Sequence, residues 1–101
     1  LKALLERGAV DRDFIAAHTT GFEALVAKVA ELSWEDLEKS AGLPRASIEG
    51  FADLLGGART GVLVWSMGIT QTSAGADGVR LILDLALARG WIGRDFCGAV
   101  P

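Results

Sequence analysis

The sequence predicts a helix-rich α/β fragment: about five to six helices, with one buried strand of the parallel type followed by a glycine elbow and a buried helix. Three observations predict it. Helical stripes with clear start and stop signals recur from Leu1 to Gly57. Gly61-Val-Leu-Val-Trp65 is apolar on both faces, the pattern of a central strand in a parallel sheet. In the segment from Val79 to Arg89 the apolar residues cover most of a helical circumference and leave only Arg80, Asp84 and Ala88 as a polar stripe.

Each element follows from local chemistry. Leu4 and Leu5 against Lys2, Glu6 and Arg7 form the tail of an amphipathic helix that Gly8 terminates. Asp11 caps a short helix that carries Phe14 and Ile15 and ends near His18. Thr20-Gly-Phe-Glu23 has capping-box spacing, and the helix it opens is expected to bury Phe22, Leu25, Val26, Val29 and Leu32. Ser33-Trp-Glu-Asp36 repeats the start signal for a helix that stops at Gly42. Pro44 suits the first position of the next helix, where its missing N–H costs nothing. Ile48, Phe51, Ala52 and Leu55 give that helix an apolar face, and Gly56-Gly57 ends it. No segment beyond Gly61–Trp65 reads as a strand, and Gly90 to Pro101 reads as a glycine-punctuated loop. A lone strand cannot pair its own backbone groups, so its neighbours are expected from outside the chain.

The chain of 101 residues supports one core, so residues 1–101 are expected to form a single unit. Half of the residues are hydrophobic and mean hydropathy is +0.35, which leaves more apolar surface than one small core hides. Part of that surface is expected to face a partner, a second copy, or a missing part of the polypeptide. No segment approaches the ~20 apolar residues of a membrane span, and a net charge of −3 offers nothing to nucleic acid or anionic lipid. Cys97 is the only cysteine, which excludes an intrachain disulfide and any multi-cysteine metal site and suits a reducing, cytoplasmic compartment. There is no signal-peptide pattern, and a start at Leu1 within a helix and an end at Pro101 read as cuts from a longer polypeptide.

The elbow after the strand is the main candidate for chemistry. Met67 and Gly68 open a turn at the carboxyl end of the strand, where α/β proteins place their ligand crevice. Backbone N–H groups there suit an anion, Thr70, Thr72 and Ser73 add hydroxyls, and the Gln71 amide can pair with the donor–acceptor edge of a guanine or pterin ring. Neither a Walker lysine nor a complete Gly-x-Gly-x-x-Gly fingerprint accompanies it, so the elbow reads either as a phosphate or nucleotide cradle or as a bare chain reversal.

The ordered motifs resemble a known family. Asp11-Arg-Asp-Phe-Ile-Ala-Ala-His-Thr-Thr-Gly-Phe-Glu23, the Gly42-Leu-Pro44 break, Trp65-Ser-Met-Gly-Ile-Thr-Gln71 and Leu85-Ala-Leu-Ala-Arg-Gly-Trp-Ile-Gly-Arg94 resemble the molybdopterin oxidoreductases, most closely the formate dehydrogenase alpha-subunit branch. The resemblance covers nearly the full chain. It implies an internal part of an α/β domain that helps to bind molybdopterin guanine dinucleotide with molybdenum, in an enzyme acting on a small-molecule substrate. It implies Met67, Gly68, Ile69, Thr70 and Gln71 as cofactor-facing residues, with Thr72 at the edge. Thr72 stands where relatives commonly carry His, and Trp91-Ile-Gly-Arg-Asp-Phe96 stands in place of the usual Asn-Ile-Gly-Arg-Pro-Gly. No catalytic residue or metal ligand is assigned within the chain, and the segment alone is not expected to hold the cofactor. The rival readings are a helical interaction module without cofactor and a phosphate-binding regulatory domain.

The remaining candidates have simpler explanations. His18 stands apart from any carboxylate or cysteine and reads as a helix-end residue, and Cys97 lacks a basic partner. Trp34, Trp65 and Trp91 read as core and interface anchors. Glu35, Asp36 and Glu38 form an acidic first turn favoured by the helix dipole.

Overall fold

Caps anticipated from sequence at Asp11, Ser33 and Gly42 set the ends of two helices in the computed structural model, which describes residues 1–101, while Pro44 lies one residue before its helix rather than first within it. Helix α1 spans Lys2–Glu6, α2 Arg12–His18, α3 Phe22–Ala30, α4 Trp34–Ala41 and α5 Arg45–Gly57. The Asp11 carboxylate accepts from the Phe14 N–H at 2.9 Å, and the Ser33 hydroxyl accepts from the Asp36 N–H at 3.1 Å. Gly42 ends α4 with a φ of 65°, the left-handed conformation that glycine adopts without strain. The Thr20 capping box does not form. Gly21 takes the N-cap position with a φ of 79°, so the residue at the cap has no hydroxyl to offer the helix amides.

Strand β1 spans Val62–Val64 and pairs in parallel with β2, Gly98–Val100, in the register Val62 with Gly98, Leu63 with Ala99 and Val64 with Val100. The parallel character expected of β1 is therefore realised inside the chain. The reading of Gly90 to Pro101 as a loop without a strand is corrected by β2, whose short run of small residues carries little strand signal of its own and is extended by pairing with β1. Between the strands lie a single-turn helix α6, Met67–Thr70, and the long helix α7, Gly75–Ala88, so the seven helices exceed the expected number by the turn of the elbow itself.

Burial is lower than the sequence pattern anticipates for β1. Val62, Val64 and Val100 are exposed on one face of the ribbon, while Leu63 and Ala99, on the other, are half-buried. A parallel sheet is normally covered on both faces, and here α7 packs against β2 on one side only. The expected burial of β1 thus needs neighbours that these residues do not supply. In α3 only Val29 of the anticipated stripe is buried, and Leu32 is exposed; on α5, Ala52 is buried while Phe51 is exposed.

The core is small and sits where α1 meets α5. Ala3, Leu4 and Ala52 are buried together, with Ala9, Trp34, Leu55 and Leu85 packed around them. Around this cluster Trp34 donates to Glu6, Lys2 pairs with Glu6 at 3.4 Å, and the Arg45 guanidinium lies 4.4 Å from the centre of the Trp34 ring. A second anchor is Trp91, only 1% exposed, whose ring lies where Gly61 leaves room for it: a Cβ at residue 61 would sit 2.5 Å from the indole. Arg89 joins the two regions. Its guanidinium donates to the carbonyls of Ala9 at 2.8 Å, Ala58 at 2.8 Å and Gly56 at 3.2 Å, and stands 5.4 Å from the Trp91 ring centre. The Asp11 N–H donates to the Ala88 carbonyl at 2.8 Å, which docks α2 on the end of α7. No helix is long and apolar enough to cross a membrane.

Candidate functional site

The elbow begins where β1 ends. The Trp65 N–H completes the ladder by donating to the Val100 carbonyl at 3.1 Å, and Ser66 then turns the chain out of the sheet as the N-cap of α6. The Ser66 carbonyl accepts from Ile69 at 2.9 Å, and the Met67 carbonyl accepts from Gln71 at 2.9 Å. The Ile69 carbonyl accepts from both the N–H and the hydroxyl of Thr72, at 3.3 and 3.0 Å. The structure therefore brings Met67, Gly68, Ile69, Thr70, Gln71 and Thr72 together on one exposed turn at the carboxyl end of the sheet.

The chemistry of that turn differs in detail from expectation. The amides of Ile69, Thr70, Gln71 and Thr72 are spent on the turn itself, so within α6 only those of Met67 and Gly68 lack a backbone acceptor. The Gln71 amide donates to the Met67 sulfur at 3.6 Å, a weak bond that an incoming ring edge can replace. The Thr70 hydroxyl makes no hydrogen bond, whereas that of Thr72 is occupied. Gly68 is not required by the chain: its φ is not in the left-handed region, and a Cβ there would meet no atom within 4 Å.

Sequence reasoning missed the N-terminus of α7. The helix starts at Gly75 rather than Val79, and its N-cap, Ala74, has no side chain able to cap. No backbone carbonyl accepts from the N–H groups of Ser73, Ala74, Ala76 or Asp77, so a second set of amides lies next to the elbow. Asp77 in this first turn pairs with Arg80 at 2.8 Å. The signal was obscured because Gly75 and Gly78 depress helix propensity where the helix starts.

The other candidates stay structural. His18 is exposed with its ring 4.9 Å from that of Phe14, Cys97 is a half-buried free thiol, and no three His, Cys, Asp or Glu side chains converge. A cavity of about 280 Å³ lies between α2, α3 and α7, lined by Ile15, Phe22, Leu25 and Leu87. None of the elbow residues lines it.

Comparison with known proteins places the chain beside oxidoreductases. It is 30% identical over 98 residues to formate dehydrogenase H of Escherichia coli (strain K12), covering 97% of the chain and 14% of that protein. It is 29% identical over 101 residues to the F420-dependent formate dehydrogenase subunit alpha of Methanocaldococcus jannaschii, covering all of the chain and 15% of that subunit. It is 35% identical over 92 residues to Protein YdeP of Escherichia coli (strain K12), covering 91% of the chain and 12% of that protein. The chain is thus homologous along its length to short segments of formate dehydrogenases and of YdeP, and spans well under a fifth of each relative. No protein-family model matches it.

Proposed function

We propose that this chain is an internal part of a molybdopterin guanine dinucleotide-dependent oxidoreductase of the formate dehydrogenase type, and that its elbow helps to hold the dinucleotide. The observation that carries this reading is the position of Met67–Thr72 on an exposed turn at the carboxyl end of β1, in a chain similar from end to end to formate dehydrogenase alpha subunits. Residues 1–101 then act as one unit of a cofactor-binding α/β domain, whose partners are the rest of a longer polypeptide and a small-molecule substrate. A single unpaired cysteine accords with a cytoplasmic enzyme.

The donor set fits such a group. Unpaired amides at Met67 and Gly68, and at Ser73, Ala74, Ala76 and Asp77, offer hydrogen bonds to phosphate oxygens, while the nearby Arg80 charge is paired with Asp77. The Gln71 amide offers a donor and an acceptor to a heterocycle edge, and the free Thr70 hydroxyl adds a further contact. Open space above Gly68 admits a ligand to the backbone. When bound, the molybdenum and its dithiolenes supply the electron transfer; this chain supplies binding and orientation.

The test is made in the full-length protein. Gly68→Val is expected to lower molybdenum and pterin content by placing a branched side chain in the open approach to the backbone. Gln71→Ala is expected to lower it less, since one amide accounts for ~1–3 kcal/mol among many contacts. Full cofactor content in both variants would make the elbow a chain reversal only, and a full-length protein without molybdenum would favour the helical interaction module.

A further inference from the structure

We propose that Gly75 is a positioning residue that sets where the elbow stands, an inference that rests on the elbow reading above for its consequence but not for its geometry. Gly75 is buried in the first turn of α7, and its φ is not in the left-handed region, so its backbone conformation is open to alanine. Its glycine identity has a steric cause instead. A Cβ at residue 75 would lie 2.6 Å from the Thr70 carbonyl oxygen, 2.7 Å from that of Ile69 and 2.9 Å from the Thr70 carbonyl carbon. All three are backbone atoms, which cannot rotate aside as a side chain can. One turn along α7, a Cβ at Gly78 would meet only the Ile69 Cγ2, at 3.3 Å, an atom that can yield.

The two glycines form the seat into which α6 is pressed. Restoring ordinary contact around a methyl at residue 75 requires the carbonyl groups of Ile69 and Thr70 to retreat by about 0.8 Å. That retreat is transmitted. The Ile69 carbonyl holds the Thr72 N–H and hydroxyl, the Gly75 N–H holds the Thr72 carbonyl at 3.0 Å, and Thr70 precedes Gln71 directly. One methyl therefore alters the spacing between the Gln71 amide and the free amides at the start of α7 without touching either. Gly68 presents the opposite case, open to solvent and unconstrained by the chain, so the two elbow glycines have separable roles: Gly75 places the turn, and Gly68 leaves it accessible.

The experiment uses the full-length protein with Gly75→Ala, Gly78→Ala and Gln71→Ala, read by amide hydrogen exchange and by the rate at which bound pterin is lost. Gly75→Ala is expected to speed exchange at Thr70, Gln71 and Thr72, whose amides are bonded within the turn, by tenfold or more while leaving Leu83 to Ala88 unchanged, and to speed pterin loss by a similar factor. Gly78→Ala is expected to stay within twofold on both readouts. Should Gly75→Ala fail to accumulate, Gly78→Val presses on the same turn through Ile69, and Ile69→Ala in the same protein is expected to restore slow exchange, a rescue that general loss of helix packing would not show. Wild-type exchange at the elbow in Gly75→Ala, faster exchange throughout α7, or no rescue by Ile69→Ala overturns the proposal. Faster elbow exchange with unchanged pterin loss in both Gly75→Ala and Gln71→Ala upholds the positioning role and removes the cofactor reading instead.

Discussion

Replacing Arg89 by methionine should cost the chain about 3 kcal/mol of stability. Arg89 is half-buried and its guanidinium fork ties three segments that are otherwise distant: Ala9 after α1, Gly56 and Ala58 at the end of α5, and the end of α7. Hydrogen bonds to a charged group contribute ~1.5–3 kcal/mol each, so the two at 2.8 Å are worth about 3–6 kcal/mol. Methionine keeps an apolar stem against Trp91 and returns part of that, while the third, longer bond adds little. Arg89→Lys should lose roughly half as much, because one ammonium cannot reproduce the planar fork. The assay is urea unfolding of the chain followed by tryptophan fluorescence, to which Trp91 reports directly; all variants are compared at one protein concentration because association adds to apparent stability. With an m value of about 1.5 kcal/mol/M, the midpoint of Arg89→Met should fall by about 2 M. A midpoint within about 0.3 M of wild type would show that Ala9, Gly56 and Ala58 are held by something other than this side chain.

Two further outcomes follow from the same geometry. Asp11→Ala removes the cap on α2 and should destabilise the chain by about 1 kcal/mol, with faster amide exchange at Phe14 as the local signature; unchanged exchange there would show that the cap is dispensable. The isolated chain, with Val62, Val64 and Val100 bare on one sheet face, should self-associate at micromolar concentration, and Val64→Lys should shift sedimentation toward the monomer; a clean wild-type monomer with strong exchange protection through Val62 to Trp65 would refute this.

What could be read from sequence was what short-range rules decide. Asp11, Ser33 and Gly42 act within a few residues of themselves, and each ends or begins its helix as its chemistry requires. The unbroken apolar run at Val62–Val64 identified a parallel strand, because that pattern belongs to strands flanked by layers. The failures are positions where a partner distant in sequence, or a backbone conformation, decides. Gly98–Val100 becomes a strand only because β1 offers an edge, and Thr20 loses its capping role to the left-handed Gly21. At the candidate site, the residues of the elbow were legible from their types and order, and the structure puts them on one exposed turn. The use of its amides was not legible, since a one-turn helix at Met67–Thr70 absorbs donors that an open loop would present. Nor was the seat formed by Gly75, which depends on two carbonyl oxygens approaching a helix at close range.

The parallel pairing of β1 with β2 also constrains how this chain reaches its native state. Bringing Gly98 alongside Val62 closes a loop that contains α6 and α7, at an entropic cost on the order of 3 kcal/mol before any contact repays it. Three residue pairs with one bare face do not repay it alone, as isolated two-stranded ribbons rarely persist in water. The pairing therefore depends on the docking of α7, which sets Trp91 over Gly61 and Arg89 on the carbonyls of Ala9 and Ala58 and so holds the two strands side by side. The turn at Met67–Thr72 packs against α7 through α6, so its place is held by that helix rather than by the sheet it adjoins.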